Sequence, residues 1–258
     1  MSLFDLFDVV IPARNEETTV AEVVRAALAA PGAGRVVVVD DGSSDGTAAA
    51  ARAAGAAVIS TGLGAGSKAR ALTRGFEATA ATAADVLVFF DSDILNVEPA
   101  HFTALAAPVL SGEAWLSCGI VPYGRLRDPL FLRLPPITGL RALRREVFAA
   151  VPEERRNGFQ IEIMINEVIA RRRLPCSIRV LSGLRHRSKL EKVGWRRGLP
   201  AHLAMTRELL ACLRIVPLWT YGAYLRNLRV LPPSGAGPPP AGADPGAVLI
   251  HPAPRPRR

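Results

Sequence analysis

Asp85-Val86-Leu87-Val88-Phe89-Phe90-Asp91-Ser92-Asp93 sets five uninterrupted apolar residues against three polar ones. The apolar run, rich in valine and phenylalanine, reads as a strand buried on both faces, as in a parallel sheet. Side chains alternate across a strand, so Asp91 and Asp93 leave the same side while Ser92 points away. The two carboxylates make a claw at the carboxyl edge of a sheet, where open α/β folds bind ligands. Hard oxygen donors suit Mg2+ or Mn2+, which keep several waters and complete their shell with substrate phosphates, so a nucleoside diphosphate is the expected ligand. Asp and Ser are also favoured in turns, and the same triplet can simply close a strand.

Toward the amino end, Phe7 to Ile11 reads as a first strand stopped by Pro12, and Val20, Val23, Val24, Ala27 and Leu28 form the stripe of an amphipathic helix. Pro31 and Gly32 end that helix, and Arg35 to Val39 supplies a second buried strand, a βαβ unit. The acidic turn Asp40-Asp41-Gly42-Ser43-Ser44-Asp45-Gly46-Thr47 leads into an alanine-rich helix to about Ala54, then a short strand, Ala57 to Ser60. The glycine-rich Thr61-Gly62-Leu63-Gly64-Ala65-Gly66-Ser67-Lys68 satisfies neither the Walker spacing nor the dinucleotide fingerprint. It does deliver Lys68 to the start of a helix, Ala69 to about Thr82, where a cation and free N–H groups can meet an anion.

Toward the carboxyl end, Pro99 to Leu110 reads as a helix and Ala114 to Ile120 as a strand, so the chain to this point is a doubly wound α/β half. Pro122 to Pro136 is a connection carrying Arg125, Arg127 and Arg133. Gly139 to Ala150 and Phe159 to Arg172 read as helices, Cys176 to Leu181 as a strand, and Ser182 to Lys192 as a basic loop holding His186. Glu162 falls beside the stripe Ile161, Ile165, Val168 and Ile169, near a helix start where a carboxylate suits the helix dipole. Trp195 to Leu231 alternates leucine with arginine and adds aromatics, a pattern that fits a membrane surface or a helix packed on the sheet. From Pro232 the Pro/Gly/Ala composition predicts a disordered tail.

The 258-residue chain is 49% hydrophobic, enough for a full core. Between Arg171 and Arg197 stand ten Lys/Arg and one acid, Glu191, so this block accounts for the whole net charge of +9. It suits a phosphorylated substrate, an anionic membrane surface or a solvated basic face. A nucleic-acid role is not expected, because the block lacks interleaved aromatics. Cys118, Cys176 and Cys212 have no metal-like spacing and predict reduced thiols in a cytoplasmic setting. The first eight residues do not form a secretory signal, and no apolar run is long enough to span a membrane.

Taken together, Ile11-Pro12-Ala13-Arg14-Asn15-Glu16, Val39-Asp40-Asp41-Gly42-Ser43-Ser44-Asp45-Gly46-Thr47, Lys68 and Asp91-Ser92-Asp93 resemble the nucleotide-sugar domain of family 2 type glycosyltransferases with the GT-A fold. The resemblance covers about Val9 to Asn96. It implies an α/β, mixed and mainly parallel sheet flanked by helices, with a catalytic domain over 1–193 (donor half 7–96, acceptor half 97–193). A C-terminal helical segment over 194–231 and a tail over 232–258 would follow. It also implies that Pro12, Ala13, Arg14 and Glu16, in loops with Asn15, Val39 and Asp41, line the base and ribose, and that Lys68 approaches the donor. Asp91 and Asp93, with Ser92 between them, would flank a metal and the diphosphate.

A finer similarity runs through Phe90 to Asn96 followed by Pro99, Gly158-Phe159-Gln160-Ile161-Glu162-Ile163 and Leu184-Arg185-His186-Arg187, which resemble the glucosyl-3-phosphoglycerate and mannosyl-3-phosphoglycerate synthase branch. It implies a donor of the UDP-glucose or GDP-mannose type and a metal, Mn2+ or Mg2+, held by Asp93 with Asp91 and His186. Glu162 would sit over sugar and acceptor as a catalytic residue, beside Asp93. Thr138, Gly139, Arg185, Arg187 and Lys189 would meet an anionic acceptor such as 3-phosphoglycerate. Arg187-Ser188-Lys189 is also similar to the basic loop of dolichol-phosphate mannose synthase type enzymes, whose lipid-phosphate acceptor would give 195–231 a peripheral membrane role. A homodimer is compatible with either. A sugar nucleotidyltransferase would show a Gly-rich loop with Arg and Lys directly after the first strand, which Pro12 to Glu17 lacks; a non-catalytic sensor would be expected to have lost one of the two carboxylates.

Overall fold

The first strand, β1 (Phe7–Ala13), opens the fold in a computed structural model that describes residues 6–62, 67–122, 128, 132, 137–156, 161–186 and 218–234. After it come α1 (Val20–Leu28), β2 (Ala33–Asp40), α2 (Thr47–Ala53), β3 (Ala57–Ser60), α3 (Lys68–Ala78) and β4 (Val86–Phe89). The second half has β5 (Ile94–Leu95), α4 (Pro99–Leu110), β6 (Leu116–Ile120), β7 (Arg141–Arg144), α5 (Arg145–Ala149), α6 (Ile161–Arg172), β8 (Cys176–Val180) and β9 (Arg185–His186). The described chain closes with α7 (Leu218–Arg226) and β10 (Leu228–Val230). The main sheet runs β10-β8-β6-β7-β4-β1-β2-β3, and every pairing is parallel except the two made by β7. This is the mixed, mainly parallel α/β sheet that the resemblance implies.

Burial on both faces of the central strands follows from their composition. Val9, Ile11, Val38, Val86, Val88 and Phe90 pack on one side with α1 and α4. Val10, Val37, Val39, Leu87 and Phe89 pack on the other with α3, α5 and α6. Strands covered by helices on both sides have no polar face to show, which is why they read as continuous apolar runs. At the amino edge Asp8, fully buried, accepts from Arg145 Nη2 (2.5 Å), from the Arg35 N–H (2.8 Å) and from Thr82 Oγ1. That staple ties β1 to the ends of α3 and β7 on the side away from the ligand edge.

Three expectations about element bounds are corrected. Pro12 does not stop β1, which pairs with β2 through Ala13. Its carbonyl faces Ser92 on the β4 side, where ladder pairing has ended at Val10↔Phe89, so the missing N–H costs no ladder bond. Gly139 to Ala150 is not a helix throughout: Arg141–Arg144 is the antiparallel strand β7, wedged between β4 and β6 with Ala142 and Leu143 fully buried. Tertiary context outweighs local helix preference there, and the helix begins only at Arg145. The helix from Lys68 ends at Ala78 rather than Thr82, because Thr79 Oγ1 turns back to Gly75 O (3.1 Å) and Thr82 Oγ1 to Thr79 O (2.8 Å).

The carboxyl-terminal segment contains the packed helix that was one of its two expected readings, and adds a strand that was not expected. Its described part is a helix, α7, packed on α6 with Ala223 and Tyr224 buried, followed by the strand β10 beside β8. Residues 231–234, across the boundary with the tail expected from 232, continue along β8: Leu231 N donates to Ile178 O (2.8 Å) and Ser234 N to Val180 O (2.9 Å). An open sheet edge offers unpaired backbone groups that an adjacent segment can satisfy. Among the described residues no helix is long and apolar enough to cross a membrane. Cys118 and Cys176 are free and buried, while Cys212 lies outside the described residues.

Candidate active site

The loops that follow β1 and β2 lock together. Asn15 adopts φ 56°, a left-handed conformation that asparagine tolerates better than most residues. Its N–H donates to Ser43 Oγ (3.0 Å) and its Oδ1 accepts from Ser44 N (2.9 Å), while Glu16 N donates to Thr47 Oγ1 (2.8 Å). Arg14 and Asn15 are exposed on this rim; Ala13 and Glu16 are buried beneath it. Val39 is fully buried in the core on the α3 side. Asp41 is buried too, and its carboxylate accepts from Thr61 Oγ1 (2.8 Å), Ser67 N (2.5 Å) and Arg70 Nη2 (3.2 Å). In this arrangement Asp41 anchors the first turn of α3 to the end of β2.

That anchor aims Lys68 at the end of β4. Its Nζ stands 2.8 Å from Asp91 Oδ1 and 3.0 Å from Glu162 Oε1. Burial works against the charge on Lys68, but the two carboxylates and their hydrogen bonds outweigh it and hold the ammonium above the ordinary lysine range. Glu162 is the second residue of α6, with a side chain only 5% exposed, and its Oε2 has no hydrogen-bond partner among the described residues. A buried carboxylate oxygen left without a donor is costly unless something else supplies one. Gly139 closes the other side: a Cβ built there would lie 2.1 Å from Asp91 Oδ1, so the carboxylate rests against bare backbone. Thr138, next to it, donates from Oγ1 to Gly119 O (2.8 Å) and so fixes this segment to the end of β6.

Ser92 is buried and its Oγ donates to Pro12 O (2.9 Å), joining the β4 turn to β1. Asp91 and Asp93 are half-buried. β5 follows directly and pairs antiparallel with β9, Ile94 opposite His186 and Leu95 opposite Arg185. His186 and Arg185, 93 and 92 residues beyond Asp93, are thereby brought beside it, and both are exposed. The approach to β9 is held by His101, whose Nδ1 accepts from Glu98 N (2.9 Å), which leaves Nε2 to donate to Ser182 O (2.8 Å). Asn96 Nδ2 reaches the next carbonyl, Gly183 O, at 3.3 Å.

Among the described residues no group of three or more His, Cys, Asp and Glu is gathered for a metal, and Asp91 is drawn onto Lys68 instead. The donor chemistry of Asp93 and His186, a hard oxygen and an imidazole nitrogen on adjoining backbone positions, fits an ion that takes the rest of its shell from phosphate and water. Arg187 and Lys189 lie outside the described residues, as do residues 157–160 and the basic block from residue 187 on.

Two residues at this site carry no signal in the sequence. Arg141 is 1% exposed in the middle of the sheet and donates to Thr138 O (2.6 Å), Glu162 O (3.1 Å) and Asn166 Oδ1 (2.9 Å). Read as helix, Leu140-Arg141-Ala142-Leu143-Arg144-Arg145 puts Arg141 on a solvated face, and read as a strand its alternation does not mark it as inward. Asn166 is likewise buried, one turn beyond Glu162.

A mainly parallel sheet with rim loops after β1 and β2, a lysine at the start of α3 and an Asp-Ser-Asp turn after β4 defines the GT-A class of sugar-nucleotide-dependent transferases. The family model for glycosyl transferase family 2 matches residues 8–160, more than half of the chain, and the protein belongs to that family; it is a glycosyltransferase. Its structure is similar to glucosyl-3-phosphoglycerate synthase from Mycobacterium tuberculosis in complex with phosphoglyceric acid, at 29% identity and TM-score 0.65, covering 84% of this chain and 80% of that one. The same enzyme in complex with Mg2+ and UDP gives 29% identity and TM-score 0.66 over 84% and 80%. The complex with Mn2+, UDP-glucose and phosphoglyceric acid gives 29% identity and TM-score 0.65 over the same 84% and 80%. No curated protein matches the sequence.

Proposed function

We propose that the protein transfers a hexose from a nucleoside diphosphate sugar of the UDP-glucose or GDP-mannose type to a small anionic acceptor such as 3-phosphoglycerate, with Mn2+ or Mg2+ as cofactor. The observation that carries this reading is Glu162, buried with Oε1 against Lys68 and with Oε2 unpartnered among the described residues. A free acceptor oxygen poised at the ligand edge suits a hydroxyl of sugar or acceptor. The donor would lie over residues 7–96 and the acceptor over 97–193. The similarity to enzyme complexes holding UDP-glucose and phosphoglyceric acid supports the substrate classes.

Asp93 and His186 would hold the metal, which when bound supplies Lewis-acid neutralisation of the diphosphate as the anomeric bond breaks. Lys68 brings a second positive charge to the same edge, kept in place by Asp91, whose own carboxylate is seated on Gly139. Ser92, by donating to Pro12 O, keeps the turn in register with the rim that would take the base and ribose. Glu162 accepts a hydroxyl proton or orients the hydroxyl that carries it. Arg185, with Arg187 and Lys189, would provide the charge that an anionic acceptor needs.

The test is incubation with Mn2+ and a panel of UDP- and GDP-sugars, following nucleotide release with and without 3-phosphoglycerate or polyprenyl phosphate. Release that requires 3-phosphoglycerate supports the proposal; release that requires polyprenyl phosphate transfers it to a lipid acceptor; release indifferent to acceptor argues against transfer. Asp93→Ala is expected to abolish metal-dependent donor binding, and unchanged affinity would remove the metal role from that residue.

A further inference from the structure

Arg141 has no part in the substrate contacts proposed above, yet it is the largest fully buried side chain among the described residues. Taking a guanidinium out of water is expensive, and an apolar side chain of similar volume in its place is often as stable or more so. Stability alone therefore gives little reason for an arginine at the centre of a sheet. What an apolar residue cannot do is bind three separate acceptors in a fixed fork.

Those acceptors belong to two different parts of the site. Nε donates to Thr138 O at 2.6 Å, the carbonyl immediately before Gly139, on which the Asp91 carboxylate rests. Nη1 donates to Glu162 O at 3.1 Å and to Asn166 Oδ1 at 2.9 Å, one turn apart at the start of α6. Arg141 itself is fixed in the sheet, opposite Phe89 on one side and Cys118 on the other, so its base does not move relative to the end of β4. One planar group thus spans from the seat of Asp91 to the backbone of Glu162, and Lys68 bridges the same two carboxylates from above.

We infer that Arg141 is the positioning residue that sets Glu162 relative to Asp91 and Gly139, acting on the reaction through Glu162 rather than on any substrate. This rests on the proposed role of Glu162. The device is built on β7: the strand between β4 and β6 carries, through one side chain, the register of the helix that supplies the reacting carboxylate. Asn166 is the other half of the device, because it gives Nη1 a side-chain acceptor and so fixes the rotation of α6 as well as its distance.

The test is a double-mutant cycle. Arg141→Met roughly keeps the volume and removes the fork, and Arg141→Lys keeps the charge but offers its donors from a single nitrogen. Each is made alone and with Glu162→Gln, with UDP-sugar affinity in Mn2+ measured by calorimetry and kcat measured with acceptor. A displacement of about 1 Å costs about 100-fold in rate. The expected result is a kcat lower by about 100-fold in Arg141→Met, with donor affinity within about twofold, and little further loss when the substitution is added to Glu162→Gln. Arg141→Lys should recover only part of the rate. Equal losses in the presence and absence of the Glu162 carboxylate would overturn the inference, as would a folded variant of unchanged kcat. If Arg141→Met does not fold, the Lys variant carries the same cycle, since the non-additivity with Glu162→Gln is read from either. Wild-type protein that turns over no nucleotide sugar would sink the functional reading and this role with it; active wild type with an additive cycle would sink this role alone.

Discussion

Gly139 Cα and the Asp91 carboxylate are in contact so close that a Cβ on residue 139 would stand 2.1 Å from Oδ1 and 2.2 Å from Oδ2. Nothing larger than hydrogen fits there without moving a carboxylate that Lys68 also holds. Gly139→Ala is therefore expected to push Asp91 off its seat, loosen Lys68 and lower kcat by at least about tenfold, as misplacement of a charged positioning group does. Donor affinity by calorimetry and steady-state kinetics check this. Wild-type rates in Gly139→Ala would mean that the seat has no bearing on the reaction.

Lys68 gives a pH dependence with a definite sign. Burial alone would lower its pKa, but Asp91 and Glu162 raise it above the ordinary 10.5. A group whose folded-state pKa is raised contributes stability that is fully present below the unfolded value and is lost as pH climbs through the folded one. Lys68→Met should cost about 3 kcal/mol at neutral pH, because it leaves two buried or half-buried carboxylates without their cation. The gap between wild type and variant should hold level to about pH 9 and then close by about 1.4 kcal/mol per pH unit once pH exceeds 10.5. Denaturant titrations across that range measure it, and a gap already closing between neutrality and pH 9 would contradict the assignment.

The donor half was legible because its signals are local. Val86 to Phe90 is apolar since both faces are covered, and the turn after it is polar since it leaves the core; one run of nine residues contains both facts. The helix over Val20–Leu28 and the strand over Ala57–Ser60 follow in the same way from period and punctuation. β7 was not legible, because Arg141 to Arg144 becomes a strand only when the gap between β4 and β6 exists to receive it. Glu162 could be placed near a helix start, but not its burial: α6 is covered on nearly every side, with Glu162, Asn166 and Glu167 all inside, whereas Val168 of the expected stripe is only half-buried. The meeting of Lys68 with Glu162 joins residues 94 positions apart, which no spacing rule reaches.

The β5–β9 ladder makes a prediction about metal. His186 stands opposite Ile94, next to Asp93, and the turn leading to it is held by His101 through Ser182 O. His186→Ala should raise the Mn2+ concentration needed for half-maximal donor binding by about tenfold or more, and His101→Leu should shift it in the same direction by about tenfold, as loss of an outer support does. Manganese paramagnetic resonance titrations in the presence of UDP give the midpoints, with thermal melts to confirm that both variants are folded. Midpoints unmoved in both would return His186 to an exposed loop residue with no metal to hold.

Gly75 lies inside α3, where glycine disfavours the helix by about 1 kcal/mol relative to alanine, so a substitution to alanine ought to help if the helix stood alone. It does not stand alone: a Cβ at 75 would meet Val10 Cγ1 at 2.1 Å and Cγ2 at 3.0 Å, so α3 lies on β1 at a distance only glycine permits. Pushing the helix outward would also carry Lys68, its first residue, away from Asp91 and Glu162. Gly75→Ala should thus destabilise by about 2 kcal/mol, the usual cost of overpacking, and lower kcat although residue 75 touches no substrate. Val10→Ala alone opens a cavity and is also destabilising. Combined, the two changes relieve each other, because the new methyl occupies space that the lost ones vacate, so the double variant should be more stable than Gly75→Ala and should regain part of its rate. Denaturant melts and kinetics on the three proteins decide it: losses that simply add would show that α3, and Lys68 with it, is seated by something other than this contact.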